Sequence, residues 1–436
     1  MKLHLWLLAS IACFEIFPEA VKAGSFSSRP TGDDLARYQR RIDTDLRENI
    51  LSYWLQHSRD RRRGGFFGEV SDTNGVAHDA PKGALLTARV LWTFSAAFER
   101  YKDPAYLEMA RWAYEDLIGR FWDKEHGGLY WSVSADGVPL DRRKLIYVQS
   151  FGIYALAEFH RATGEGPALE RAIELYRTVE QHSRDRVDRG YFEEFSRDWR
   201  KSTARGKGES AMGSLGQKSQ NVHLHVLEAY TNLLRVWPDE QLRQGLSDLV
   251  DVMLVKVMDH KTHHLRLFLN EDWSPASDVI SYGHDIEFSW LVVEAAEALG
   301  IDRLTEQVKA DALKIAAVTL KEGIDIDGAV LAEGDANGVT NRFKEWWPQA
   351  EGTVGFLNAY QLSGDASYLR ASLKNWDFIE QKLIDRKKGE WFVGVSDTGK
   401  VVSPVKISFW KCPYHNGRAC MEMLTRLKTV SATLGR

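Results

Sequence analysis

Cysteine is scarce in this chain of 436 residues, which has only Cys13, Cys412 and Cys420. A disulfide framework is therefore excluded, and Cys412 and Cys420 read as free thiols or packing residues. Charge of one sign is also lacking. The formal net charge is −4, so no global field draws nucleic acid or an anionic membrane. The cluster Arg59, Arg61, Arg62 and Arg63 is interrupted by Asp60 and reads as a solvated loop. Beyond the N-terminus no apolar run is long enough to span a bilayer. No GxGxxG or GxxxxGKS run argues for a nucleotide cofactor, and no GxSxG elbow supports a nucleophilic serine.

The first 23 residues read as an export signal. Lys2 gives a basic start, Leu5 to Phe17 is mainly apolar apart from Glu15, and Val21-Lys22-Ala23 offers a cleavage site before Gly24. The expected destination is the periplasm or the exterior, with no membrane attachment after removal; without a signal, the chain stays in the cytoplasm. Ser10-Ile11-Ala12 before Cys13 makes a poor lipoprotein site. No linker divides the remainder of the chain, so residues 24–436 are expected to form a single domain.

Aromatics, by contrast, are plentiful: 15 Trp, 15 Tyr and 19 Phe. Such a supply fills cores and also suits sugar rings, which have apolar faces and polar edges. One pattern recurs along the chain. An aromatic-rich helix is followed by a Gly/Asp turn, a more polar helix, and a Gly-aromatic stretch that reads as a hairpin. Ala84–Tyr101 pairs with Ala105–Phe121, followed by GGLYWSVSADGVPL with its Asp136-Gly137 turn. The pattern returns at Tyr147–Thr163 with Pro167–His182, Val222–Val236 with Gln241–Met258, Asp285–Leu299 with Leu304–Leu320, and Ala350–Leu362 with Ala366–Leu383. A last helix opens near Asn416. About six helix pairs at this period predict an all-α fold, an (α/α)6 barrel with short β-hairpins at the connections. The apolar helices would form its inner ring, and their N-terminal ends would rim one cavity. The segment Arg200–Gln220 is expected to be a loop beside that cavity or a plain surface insertion.

If the ring closes, polar residues at the inner-helix starts converge although they are distant in sequence. They are Arg89, Tyr147 with Gln149, Asn221 with His225, His284 with Glu287, Trp346 to Glu351, and Trp410 to Asn416. His284 and Glu287 lie one helical turn apart in HDIEFSWLVVEAAEALG, a run otherwise apolar on nearly every side. That spacing fits an imidazole oriented by a carboxylate for proton transfer, or an N-cap histidine beside a satisfied glutamate. A metal site would draw on His223, His225, His263 and His264, but no HExxH pair or Cys pair supports it. Glycoside hydrolysis would need two carboxylates, for which Glu287 and Glu351 are available.

The strings PKGALLTARVLWTFS, NVHLHVLEAYTNLLRVWP, SYGHDIEFSWLVVEAAE, EWWPQAEGTVGFLNAYQLSGD and FWKCPYHNGRAC resemble the N-acylglucosamine 2-epimerase superfamily, and within it the cellobiose 2-epimerases. They run from about Gly64 to the C-terminal helix. The family fold is an (α/α)6 barrel, in agreement with the repeat. The resemblance implies that His284 and His415 are the general acid/base pair, that His225 is a third catalytic histidine that contacts the sugar and assists ring opening, and that Arg89 lies near the reacting oxygens. It also implies that Glu287 fixes its neighbouring histidine, that Asn221 contacts sugar, and that Trp347 and Trp410 stack on the two rings. Glu351 and Tyr147 are counted with the substrate-contacting residues. No metal or organic cofactor is expected, and the partner is a small-molecule disaccharide; the chain itself is expected to be a monomer or weak homodimer. The loop after Arg200 and the export signal are departures from the family pattern. The implied reaction interconverts the reducing-end glucose and mannose of a β-1,4-linked disaccharide through a cis-enediolate. A mannose/fructose-type isomerase or an N-acylglucosamine 2-epimerase would share that chemistry.

Overall fold

The computed structural model describes residues 30–201 and 217–434. The expected export signal and most of the Arg200–Gln220 loop lie outside them. Twelve helical runs dominate the described residues. They are α1 (Gly32–Thr44, continued by a π-helical segment Asp45–Leu51 and by Ser52–His57), α2 (Ala84–Tyr101), α3 (Pro104–Asp116, extended by Leu117–Phe121), α4 (Ile146–Thr163), α5 (Gly166–His182) and α6 (Gln220–Val236). After them come α7 (Glu240–Val252, extended by Met253–Val257), α8 (Tyr282–Leu299), α9 (Asp302–Glu322), α10 (Trp346–Ser363), α11 (Ala366–Phe378, extended by Ile379–Leu383) and α12 (Tyr414–Leu434). The pairs begin and end where local chemistry directs. Asp103, Asp239 and Asp365 cap α3, α7 and α11 by accepting backbone N–H groups, and Gly364 stops α10 at φ 72°, a conformation with no steric cost for glycine.

Helices α2, α4, α6, α8, α10 and α12 pack each against the next, and α12 returns to α2, so the order is cyclic. Each also packs on an outer helix: α3, α5, α7, α9 and α11 follow their inner partners, whereas α12 takes α1 from the other end of the chain. Helix α1 was not anticipated from the repeat. Its polar surface carries Asp33, Asp34, Arg37 and Arg41, and only Leu35, Tyr38 and Ile42 of its first stretch are buried. The expected helix starts at Val222, Asp285, Ala350 and Asn416 also fall two to four residues late, because the first turns hold polar site residues rather than the apolar stripe.

Short strands repeat the same cycle. The strand before each inner helix pairs with the strand after an outer one: Lys82–Gly83 with Ser132–Val133, Lys144–Leu145 with Glu194–Phe195, and Lys218–Ser219 with Phe268–Leu269. The cycle continues with Ile280–Ser281 on Glu333–Asp335 and Lys344–Glu345 on Gly394–Val395. The sixth pair joins Val70–Ser71 to Val405–Ile407, tying the two ends of the chain together. The hairpin expected around Asp136-Gly137 forms between Ser132–Val133 and Pro139–Asp141.

Five of these stations carry a buried lysine that reaches an aspartate just past an outer helix. Lys82 bonds Asp60 at 2.9 Å, Lys144 bonds Asp123 at 3.0 Å, Lys218 bonds Asp185 at 2.7 Å, Lys344 bonds Asp325 at 2.7 Å and Lys406 bonds Asp385 at 2.9 Å. Four of the lysines also donate to a nearby carbonyl, so the charge is both paired and hydrogen-bonded. The sixth station has Ile280 instead, and the equivalent Asp259 pairs with Arg266.

Candidate active site

The inner-helix starts bring together three histidines, each held by its Nδ1. His225 meets Glu228 Oε2 at 2.9 Å, one turn along α6. His284 meets Ser281 Oγ at 2.7 Å, the hydroxyl of the residue that caps α8. His415 meets Glu351 Oε1 at 2.7 Å, across from α12 to α10. None of the three Nε2 atoms has a hydrogen-bond partner among the described residues, so each ring presents the same nitrogen for chemistry.

Aromatic rings link these imidazoles. Trp347 lies 4.6 Å from the His284 ring and 5.7 Å from that of His415, between centroids. Gly283 permits this approach, since a Cβ there would sit 2.6 Å from the Trp347 indole. On the other side Tyr147 stands edge-on to His225 at 4.9 Å and contacts Trp410 at 5.8 Å. Arg89 donates to the Tyr147 hydroxyl at 2.7 Å and to the Trp410 carbonyl at 3.4 Å. Trp410 itself is 38% exposed, which leaves its ring face open. The Oδ1 of Asn221 is buried without a partner among the described residues.

Arg418 anchors the floor. Its guanidinium donates to Glu287 Oε1 at 2.7 Å, to Glu351 Oε1 at 2.8 Å, and also bonds Glu228 and the Tyr414 hydroxyl. Glu287, Glu351 and His415 form the one group with metal-ligand composition among the described residues. The Arg418 cation already bridges its two carboxylates, so the donor set is occupied by an internal positive charge.

Burial sets the protonation states. It lowers the His284 pKa to about 3, with His225 adding repulsion. It also takes His415 well below 6.5, helped by Arg89 and Arg418, and lowers His225 despite Glu228. All three imidazoles are neutral at pH 7. Burial raises Glu287 and Glu351 too; Glu287 is raised further by Glu351, and Arg418 only partly compensates. Burial and mutual repulsion thus favour a proton on this carboxyl pair, against the pull of Arg418. Glu228 differs: burial would raise it, but Arg418 and His225 outweigh that and hold it at about 2.

The sequence profile of N-acylglucosamine 2-epimerase (GlcNAc 2-epimerase) matches residues 65–419. The chain belongs to this family. It is 41% identical over 388 residues to a cellobiose 2-epimerase of Bacteroides fragilis, covering 88% of this chain and 98% of the relative. A cellobiose 2-epimerase of Dictyoglomus turgidum is 37% identical over 396 residues, with 90% and 100% covered. The solved structure of cellobiose 2-epimerase from Bacillus thermoamylovorans superimposes with a TM-score of 0.85 at 38% identity, covering 90% of this chain and all of the other.

Several expected assignments change within this epimerase-family site. Glu287 does not orient His284; it bonds Arg418 and lies 4.0 Å from His415 Nδ1. The helical spacing was right, but the Ser281 hydroxyl lies nearer to His284. Glu351 stands behind His415 and is 1% exposed. Of the polar residues at the inner-helix starts, Gln149 turns away and bonds the backbone of Leu129, just as Gln349 bonds Val330. His223 bonds Ser219 O and Tyr191 N, and His264 pairs with Asp285 and Glu322, so the candidate metal histidines do not converge. Sequence reading missed Glu228, Arg418 and Trp131, and held Tyr414 only within the range from Trp410 to Asn416. The available signals were the three-residue spacing from His225 to Glu228 and the four-residue spacing from Tyr414 to Arg418. Nothing local marked Trp131, whose ring meets Trp410 at 5.9 Å.

Proposed function

We propose that the cyclic helix packing is an (α/α)6 barrel forming one domain, and that its cavity epimerises C2 of the reducing sugar in a β-1,4-linked disaccharide such as cellobiose. The observation that carries this reading is the set of three imidazoles, each anchored through Nδ1 and open at Nε2, beside Arg89 and flanked by Trp347 and Trp410. The relatives named for cellobiose 2-epimerase supply the substrate class.

Epimerisation needs the open-chain aldose, whose C1 carbonyl acidifies the C2 proton. A neutral imidazole removes that proton, and the negative charge passes to the oxygens of a cis-enediolate. Arg89, buried and fixed by Tyr147, stabilises that charge where water is scarce. Return of a proton to the opposite face inverts C2. His284 is suited to be the base, because its Nδ1 contacts only a neutral hydroxyl. His415 is suited to be the donor: with its proton on Nε2 it can deliver that proton to C2 while Nδ1 takes one from the Glu351 carboxyl, so the ring stays neutral. In the reverse direction the roles exchange. Neither step draws on a metal or organic cofactor.

Proton NMR of products from cellobiose, mannose and N-acetylglucosamine in heavy water tests the reading. The expected result is 4-O-β-D-glucosyl-D-mannose from cellobiose, with deuterium at C2. Fructose as the main product from mannose would instead establish an aldose–ketose isomerase, and free glucose from cellobiose would establish a hydrolase.

A further inference from the structure

At four stations of the repeat, the residue just before the strand that follows an outer helix accepts the first N–H of an inner helix. Trp131 O serves Ala84 at 3.1 Å, Glu193 O serves Ile146 at 2.9 Å, Leu267 O serves Gln220 at 3.1 Å, and Val393 O serves Trp346 at 3.0 Å. Three of these residues are apolar, and the ring of one, Trp131, rests against Trp410 at the proposed sugar site. The second station carries a carboxyl where its counterparts carry hydrocarbon.

Glu193 is 6% exposed, and neither of its oxygens has a hydrogen-bond partner among the described residues. Its neighbour Glu194 takes the Arg143 ion pair. The hydroxyl and backbone N–H of Ser219, the residue that caps α6, approach the Glu193 carboxyl and oppose part of the upward shift that burial causes. Immediately after Ser219 comes Gln220, 1% exposed, whose amide nitrogen and oxygen both lack partners among the described residues, and then Asn221 with its unpartnered Oδ1. Three neighbouring polar groups whose buried atoms are left open cost stability, unless something outside the fold completes their hydrogen bonds.

We propose that Glu193 and Gln220, with Asn221, form a subsite for saccharide hydroxyls between the starts of α4 and α6, and so help set substrate preference. The inference rests on the sugar-epimerase reading above. Its chemistry is that of a polyol. A carboxylic acid offers one O–H donor and one carbonyl acceptor, and an amide offers both functions, matching hydroxyl groups that donate and accept. Burial pushes the Glu193 pKa up to about 8, so this donor is present at neutral pH. Tyr147, the second residue of α4, places the subsite one residue from the partner of Arg89.

Steady-state kinetics of wild type, Glu193→Leu and Glu193→Gln with cellobiose and with glucose test this. Glu193→Leu should raise KM about tenfold with kcat nearly unchanged, because a hydroxyl loses its partner. A rise with both sugars places the subsite at the reacting ring, and a rise with cellobiose alone places it at the distal ring. Glu193→Gln should keep KM close to wild type at pH 7. In wild type KM should climb between pH 7 and 9 as the carboxyl ionises, and this climb should be absent from Glu193→Gln. An unchanged KM in Glu193→Leu overturns the proposal. Should that variant not fold, an identical alkaline climb in Glu193→Gln and wild type overturns it. A wild type inert on cellobiose would instead defeat the epimerase reading.

Discussion

Glu351 on α10 and Nδ1 of His415 on α12 share a 2.7 Å hydrogen bond. The bond fixes which ring nitrogen faces the cavity and ties that imidazole to a buried carboxyl whose pKa is raised. Glu351→Gln retains the shape but not a carboxyl that can exchange a proton with Nδ1. It should lower kcat by about 100-fold with KM little altered. Rates of C2 deuterium incorporation read this directly, and a wild-type rate would remove Glu351 from the mechanism.

His284→Ala and His415→Ala should each reduce C2 exchange by about 10²–10⁴-fold while circular dichroism stays unchanged. Wild-type-like turnover in either variant would exclude that residue as acid or base.

Trp410 is 38% exposed, with its ring 5.8 Å from that of Tyr147 and 5.9 Å from that of Trp131. Trp410→Ala should weaken disaccharide binding by about 1 kcal/mol, seen as a KM several-fold higher with kcat retained. An unchanged KM would count against its stacking role.

Neutral imidazoles make a pH prediction. Because His225, His284 and His415 are all lowered from 6.5, the acid limb of kcat/KM should lie below pH 6.5. Stability follows the same sign. Below pH 6.5 the unfolded chain binds protons that the folded one refuses, so the contribution of these groups is complete above 6.5 and falls as the medium is acidified. The raised carboxyls of Glu193, Glu287 and Glu351 act with the opposite sign. The histidine share is therefore read by chemical denaturation of wild type and His284→Gln. Acidification from pH 7.5 to 5.5 should be less unfavourable to the variant, and an identical pH dependence would contradict the assignment.

Lys82→Met should destabilise by about 3–5 kcal/mol, because it leaves the buried Asp60 carboxylate without its cation. Thermal unfolding would show this, and KM should not move, since the pair lies in the scaffold.

How much of this was legible beforehand follows the range of each interaction. The arrangement from Leu91 through Phe94 and Phe98 to Tyr101 repeats within one helix, so the helix pairs could be read from periodicity. Arg89, Tyr147, His225, His284, Trp347, Trp410 and His415 could be collected because each sits near the start of an inner helix. Their hydrogen-bond partners could not be assigned this way. His284 had two plausible neighbours within one turn, Ser281 and Glu287, and only coordinates choose between them. The lysine before five inner helices was visible as PKG, RKL, QKS, FKE and VKI, but no local pattern tied it to an aspartate about twenty to thirty residues earlier.

The amino-acid order alone determined the helical character, the period of the pairs and the kinds of side chain available at each helix start. These depend on spacing within a turn and on apolar surface that one helix must bury. Tertiary structure decided that α1 supplies the missing outer partner of α12, that Arg418 gathers Glu228, Glu287 and Glu351, and that Glu193 is left without a partner among the described residues. Those outcomes depend on closing the ring, which brings residues more than a hundred positions apart within hydrogen-bonding distance.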